Sequence, residues 1–360
     1  MTTPDPFISS RKDDHVLLAR QFYGMAPLNT HEEIDAMEFV HNALPETRVS
    51  DVNISTSLVG MQMPRPFFIN AMTGGTQKAD EINRRLARVA QATGTPLALG
   101  SMSIAVKNLA TRAAYGRLRE DFPDVQFIAN IGAEHTVDAA QFVVDLIGAS
   151  ALQIHLNAAQ EIVMPEGEKD FRGWERMIRQ CSDELNVPII VKEVGFGISY
   201  DVAERIADYV DAIDVAGRGG TNFIQIENAR TENHPYSFLE NWGITTIRSL
   251  MDTMAAVADA NKKPMVIASG GVRHPLDIVK YLALGADAVG LSAAFLQSIT
   301  SSEDADEAVR KTIELVQMWD TQCAQIMALI GVPVVEELPF EADFSLPDSL
   351  MQYMAMRSSM

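Results

Sequence analysis

Cysteine is nearly absent from this 360-residue chain: there are two, Cys181 and Cys323, in segments with helical patterning and in no metal-ligand or redox spacing. That excludes a disulfide framework and leaves reduced thiols in an intracellular protein as the expectation. Positive charge is scarce too, with 29 Lys and Arg against 48 Asp and Glu and a net charge of −19. A nucleic acid or an anionic membrane needs an extended basic surface, so neither is expected as a partner, and an anionic ligand needs its cations gathered locally. No uncharged run approaches the length of a membrane span, and the opening MTTPDPFISSRKDDH has no apolar core of the signal-peptide kind. A soluble, cytoplasmic protein is expected. A dinucleotide-type glycine fingerprint is also missing, because Ala71-Met72-Thr73-Gly74-Gly75 lacks the spacing.

What the chain does have is 47% apolar content, enough for a large core. From residue 67 a period sets in: an apolar run of about five to seven residues, ending in a small or polar residue, followed by an amphipathic helix. The runs are Phe67–Met72, Pro96–Ser101, Gln126–Gly132, Ala151–Leu156, Pro188–Val194, Ala212–Gly217, Pro264–Ser269 and Ala288–Ser292. Helical patterns lie between them, and a long one near 303–330 follows the last. Eight nearly uncharged strands alternating with helices call for a parallel sheet buried on both faces, most simply closed as a (β/α)8 TIM barrel. An open doubly wound sheet is the runner-up. Residues 1–66 read as an N-terminal arm, 67–300 as the barrel core and 301–360 as a C-terminal helical extension, together one domain. In the arm, Ser10 or Asp13 is expected to cap a helix through Val16 to Leu18. Residues 29–52 carry a second helical pattern, and 49–58 a short hairpin that closes the barrel bottom.

In such a barrel, chemistry sits at the C-terminal strand ends. Those ends carry Thr73, Ser101, Asn130, His155 with Asn157, Lys192, the run Ala216 to Thr221, Ser269-Gly270-Gly271 and Ser292. The turns Gly217–Thr221, Ser269–Arg273 and Ser292–Ala294 converge on a phosphate, cradled by backbone N–H groups. Lys192 ends an apolar strand, where a buried ammonium must face an anion or an electron-rich group; a salt bridge to a neighbouring carboxylate is the plainer reading. With Asn130 and Ser101 it lines a flat polar ring system, which points to FMN. After the fourth strand, HLNAAQEIVMPEGEKDF places Gln160 and Glu161 on a long excursion, where a carboxylate can hold Mg2+ against a diphosphate.

The chain resembles the type 2 isopentenyl-diphosphate isomerases over nearly its whole length. The resemblance rests on Arg11-Lys12 with His15, INAMTGG at 69–75, GSMS at 100–103, ANIGA at 129–133, LQIHLNAAQE at 152–161, VKEVGFG at 191–197, DVAGRGGT at 214–221, ASGGVR at 268–273 and GLSAA at 290–294. It implies an FMN barrel, active with reduced flavin and Mg2+ and commonly reduced by NADPH, that interconverts isopentenyl and dimethylallyl diphosphates, and it favours a homotetramer. Carried over by position, it implies diphosphate and substrate contacts from Arg11, Lys12, His15, Ser101, Met102, Ser103, Asn157 and Gln160. Gln160, His155 and Lys192 would serve catalysis, His155 by orienting neighbours, and Glu161 would ligate Mg2+. FMN would be held by Ala71, Met72, Thr73, Ser101, Asn130, Lys192, Thr221, Gly270, Gly271, Val272, Arg273, Ser292 and Ala293. Some members have arginine at the Ser103 position and serine at the Ala216 position; the first departure leaves a cation to be supplied elsewhere, with Lys107 as the candidate. An FMN 2-hydroxy-acid oxidase or dehydrogenase is the nearest rival, but Arg218 and Thr221 stand where that class places its histidine base and carboxylate-binding arginine. A flavin-storing scaffold is the non-catalytic alternative.

Overall fold

In a computed structural model that describes residues 6–23, 25 and 31–357, the eight apolar runs close into a single barrel of parallel strands. They are β1 (Phe67–Ile69), β2 (Leu97–Ala98), β3 (Phe127–Gly132), β4 (Ala151–Leu156), β5 (Ile189–Glu193), β6 (Ala212–Asp214), β7 (Met265–Ser269) and β8 (Ala288–Leu291). β8 pairs with β1 through Val289 and Phe67, which shuts the cylinder. Several strands stop up to three residues before the predicted end, because those residues leave the ladder to line the space above it. The helices between strands start where short polar side chains cap them: Thr136 accepts from the Ala139 N–H, and His274 caps a helix opened by Pro275.

The two-residue side-chain period sorts the barrel interior into levels. At the bottom each strand contributes one apolar residue: Phe68, Ala98, Ile128, Ala151, Ile190, Ala212, Ile267 and Ala288. Large and small alternate from strand to strand, as layered barrel packing requires. A hairpin, Thr56–Leu58 against Met61–Met63, plugs this end with Leu58, Met61 and Met63. It is the bottom closure expected from sequence, placed a few residues later; 49–51 forms a 3-10 turn instead. One level up, the inward residues turn polar: Asn70, Asn130, Gln153, Asp214 and Ser269, all buried. Outward residues such as Phe67, Ile154, Val191 and Val289 pack into the main core against the helices.

The arm differs from its prediction in three places. Its helix runs Pro6–Gln21, so positions 10 and 13 lie inside it rather than at its start. Asp13 accepts instead from the Thr76 hydroxyl at 2.7 Å. The second helical pattern yields one short helix, Glu32–Ala36, and a strand Glu38–Phe39 that pairs antiparallel with Phe344–Ser345 of the C-terminal extension; 26–30 lie outside the described residues. Ile34 and Met37 supply enough burial to fix that short helix. Arg65 joins the extension to the barrel: it donates to both Asp320 carboxylate oxygens at 2.8 and 2.9 Å, and to the Thr93 carbonyl and Thr95 hydroxyl at 2.7 and 2.6 Å. Among the described residues no helix is long and apolar enough to cross a membrane.

Replacing Arg65 leaves Asp320 and two polar groups of the 93–95 turn without their donor. Arg65→Ala is expected to lower the unfolding free energy by about 3 kcal/mol. The check is a urea titration of both proteins: the midpoint falls at unchanged slope.

Candidate active site

A cavity of about 620 Å³ opens at the C-terminal ends of the strands, beneath the arm. Every site residue predicted from sequence lines it except two: Met102, whose side chain is fully buried in the core and leaves Ser101 and Ser103 at the rim, and Lys107, which is exposed after the turn Ser103–Val106 and supplies no cation to the cavity. The Ser101 hydroxyl donates to that of Ser103 at 3.1 Å.

On one side stand the glycine turns. Gly270 and Gly271 have φ of +102° and +79°, and a Cβ on either would meet Gly217 or Gly219 backbone at 2.2 or 2.4 Å. Only glycine allows the two turns to lie backbone against backbone. Among the described residues, the N–H groups of Gly220, Gly271 and Val272 find no protein acceptor. His31, from the arm, brings a buried Nε2 without a hydrogen-bond partner to within 3.5 Å of where a Gly219 Cβ would stand. Free N–H groups and an orphaned imidazole nitrogen around side-chain-free turns fit a phosphate such as that of FMN. Arg273 is differently placed: Nε and Nη2 donate to Asp277 at 3.0 Å each, and Nη1 reaches Asp35 at 3.2 Å, so this guanidinium ties the arm to the turn.

On the other side the arm helix lies across the strand ends and touches loops from around the barrel. Besides Asp13 to Thr76, His15 Nε2 meets Glu227 at 2.7 Å, Arg20 donates to the Thr300 carbonyl at 3.2 Å and Arg11 reaches Glu166 at 3.3 Å. Lys12 points into the cavity and donates to the Ser101 carbonyl at 3.2 Å. Burial, then the neighbouring Arg11, holds its ammonium down to about 7, against the pull of Asp80. Gln160 and Glu161 sit on a short helix, Ala158–Val163, where an open excursion was expected. Glu161 accepts from the Asn157 amide and the Glu168 N–H, both at 2.7 Å, and burial raises its carboxyl above the usual range. The Asn157 side-chain oxygen Oδ1 is buried without a partner, as is Arg11 Nε.

At the centre, Lys192 donates to the Glu193 carbonyl at 2.6 Å, and among the described residues no carboxylate bridges it, so its ammonium is available to a ligand. His155 Nδ1 meets Asn130 Oδ1 at 2.8 Å. Burial pushes its imidazole down to about 4, Glu134 opposing and Lys192 reinforcing. Sequence reasoning missed four carboxylates and amides here: Glu134 on the cavity wall, Glu193, Gln153 and Asn70. Glu193 is buried and raised by that burial to about 7, although one of its oxygens collects the N–H groups of Val194, Gly195 and Phe196 at 2.6, 2.7 and 2.5 Å. A charged residue directly before the glycine-bearing stretch 194–197 was the available signal, because such a turn leaves N–H groups that need an acceptor.

Comparison with known proteins agrees with this architecture. The family model of the FMN-dependent dehydrogenases matches residues 128–342. Among solved structures, a flavocytochrome b2 variant with benzoylformate superposes with a TM-score of 0.64 at 20% identity, covering 93% of this chain and 86% of that one. A mandelate oxidase variant with 2-hydroxy-phenylacetamide gives 0.61 at 15% identity, covering 92% and 90%. At such identities these show the shared barrel alone. The sequence relatives are much nearer: an isopentenyl-diphosphate delta-isomerase of Latilactobacillus sakei is 40% identical over 99% of both chains. One of a Streptomyces species is 42% identical over 97% of this chain and 93% of its own. With that identity along almost the entire length, and the flavin-barrel match beneath it, the chain belongs to the type 2, FMN-dependent isopentenyl-diphosphate delta-isomerase family.

Proposed function

We propose that this chain interconverts isopentenyl and dimethylallyl diphosphates with reduced FMN and Mg2+, NADPH supplying the electrons, as a cytoplasmic step of isoprenoid synthesis. The observation that carries this reading is that one cavity has two separate places for anions. One is the glycine cradle with His31, and the other is the pair Arg11 and Lys12 brought down by the arm. A cofactor phosphate occupies the first and a substrate diphosphate the second, leaving the alkene over Lys192 and Gln160 between them.

Moving the double bond one position requires a proton added at the terminal alkene carbon and another lost from the allylic methylene, with tertiary cation character in between. When bound, reduced FMN supplies an electron-rich ring face and ring nitrogens suited to that proton exchange. The protein's part is binding and exclusion. Ala71, Met72, Thr73, Ser101, Asn130, Thr221, Ser292 and Ala293 hold the flavin with the glycine cradle, and Lys192 sets a cation beside it. Val272 and Arg273 complete the phosphate turn, the latter by keeping the arm attached. His15 with Glu227, Ser103 and Asn157 position the substrate, and Gln160 faces the alkene. Glu161 keeps free lone pairs beyond its two hydrogen bonds, so it can ligate Mg2+ together with diphosphate oxygens and water. Among the described residues no group of three or more metal-type ligands exists, which suits a metal that arrives with its substrate. The arm helix covers the strand ends and shuts out water, which would otherwise quench a carbocation. The whole chain acts as one domain; the exposed Leu329, Phe340, Met351 and Met356 of its C-terminal part suit a subunit contact, and the family resemblance favours a homotetramer.

An anaerobic assay with FMN, Mg2+, NADPH and isopentenyl diphosphate tests the reading: dimethylallyl diphosphate forms without net oxidation. Turnover of a 2-hydroxy acid with net flavin reduction would instead favour a dehydrogenase. Gln160→Asn and Glu161→Gln are each expected to lower kcat on the order of 100-fold with FMN still bound. A near-normal rate removes that residue from the mechanism. Lys12 yields a pH effect of definite sign. The diphosphate binds the charged ammonium, so affinity falls as pH rises above about 7 and the unliganded side chain loses its proton. KM of the wild type should therefore climb from neutral to alkaline pH, whereas Lys12→Arg, charged throughout, should flatten that rise.

A further inference from the structure

The polar level beneath the cavity forms a single hydrogen-bonded chain across the barrel, and its direction can be read without assuming any proton position. It starts at Asn70. The backbone N–H of Ala71 donates to Asn70 Oδ1 at 2.8 Å, and a backbone N–H can only donate, so the Asn70 amide nitrogen must point the other way. There it meets Asp214 Oδ2 at 2.7 Å. The Ser269 hydroxyl and, at 3.2 Å, the Ala216 N–H donate to the other Asp214 oxygen. With Asn70 Oδ1 turned toward it, Gln153 must offer its amide nitrogen, and does so at 2.9 Å. Gln153 Oε1 is then left for Asn130, whose amide nitrogen donates at 3.1 Å. That turns Asn130 Oδ1 to His155 Nδ1 at 2.8 Å, so the hydrogen of that bond belongs to histidine. Asn70, Gln153 and Asp214 are each 0% exposed, so no water competes along the first half of the chain.

We propose that Gln153, held between Asn70 and Asn130, is a positioning residue that fixes His155 as the Nδ1–H tautomer. Burial keeps the ring neutral, so a bare Nε2 is left on the cavity side and can only accept a hydrogen bond there. The group opposite His155 must be a donor, such as a ring N–H, a hydroxyl or a water. A diphosphate oxygen is excluded from that spot and belongs with Arg11 and Lys12. His155 itself has no proton to give in the resting site. The chain is built into the packing: a Cβ on Gly290 would stand 2.3 Å from Asn70 Nδ2, so glycine there makes the room that Asn70 needs.

The tautomer is independent of the reaction, while its effect on turnover rests on the isomerase reading. Nitrogen-15 NMR of histidine-labelled, FMN-loaded full chain tests it, with His155 assigned by the signal lost in His155→Gln. In the wild type, Nδ1 should show a protonated and Nε2 an unprotonated resonance. Gln153→Met keeps the length but breaks the chain and frees Asn130 to turn. Both tautomers should then appear, and kcat should fall roughly tenfold or more. Gln153→Glu restores the link, since its protonated carboxyl can donate to Asn70 and accept from Asn130, and should return a single Nδ1–H tautomer. A protonated Nε2 in the wild type overturns the proposal, and so does a single Nδ1–H tautomer in Gln153→Met. If Gln153→Met does not fold, the wild type and Gln153→Glu decide: a mixture of tautomers in either overturns it. The expected spectra in a protein that makes no dimethylallyl diphosphate would leave the relay standing and remove the isomerase reading.

Discussion

Closure of the parallel sheet is the constraint on which the rest of this structure depends. A strand buried on both faces has no solvent side, so its inward residues must satisfy one another across the barrel, level by level. Apolar side chains alternate in size at the bottom, and amides with one carboxylate fill the next level. Above them several ladders stop early, and the residues that follow line the cavity. The same two-residue step that puts Ile128 in the bottom layer therefore puts Asn130 in the polar level.

A polar layer inside a barrel is costly unless every group is paired. Here the pairing runs in one direction because it begins at groups whose polarity cannot invert, a backbone N–H and a carboxylate. Above that layer the charges are kept apart: Lys192 stands at the centre, the glycine cradle on one side, and Arg11 with Lys12 on the other. The chain has a net charge of −19, yet it concentrates cations where an anionic ligand would bind. Burial that lowers Lys12 and raises Glu161 leaves both responsive to a ligand of the right sign.

The arm belongs to the site as much as the barrel does. Its short helix is tied down through Glu33 to Arg248 and through Asp35 to Arg273, and Lys280 donates to the Ile34 carbonyl at 2.7 Å. These contacts place His31 at the cradle, while the longer arm helix spans loops from around the rim. Arg273, expected by resemblance among the residues that hold FMN, turns three nitrogens to carboxylates and so anchors the arm to the phosphate turn.

The order and type of the barrel elements were legible from residue 67 onward, because fully buried strands and amphipathic helices carry periods that a linear sequence displays. Strand ends were legible less well, since where a ladder stops depends on the neighbouring strand. The arm misled for a related reason: Glu32–Ala36 is too short to declare itself and exists because Ile34 and Met37 find a core supplied by distant segments. Residue types marked the strand-end part of the cavity lining, from Thr73 to Ser292, and the family resemblance added the rest, including Arg11 and Lys12 of the arm. Which way those side chains turn was decided only in three dimensions. Met102 and Ser103 are neighbours, yet one enters the core and the other the cavity; the Asn70, Gln153 and Asp214 chain joins residues up to 144 positions apart. Sequence by itself determined the eightfold alternation and the chemistry gathered at one end, because both are written in local pattern. Hydrogen-bond partners, and with them the direction of every amide beneath the site, came from the tertiary structure, because only closure of the barrel brings those groups within reach.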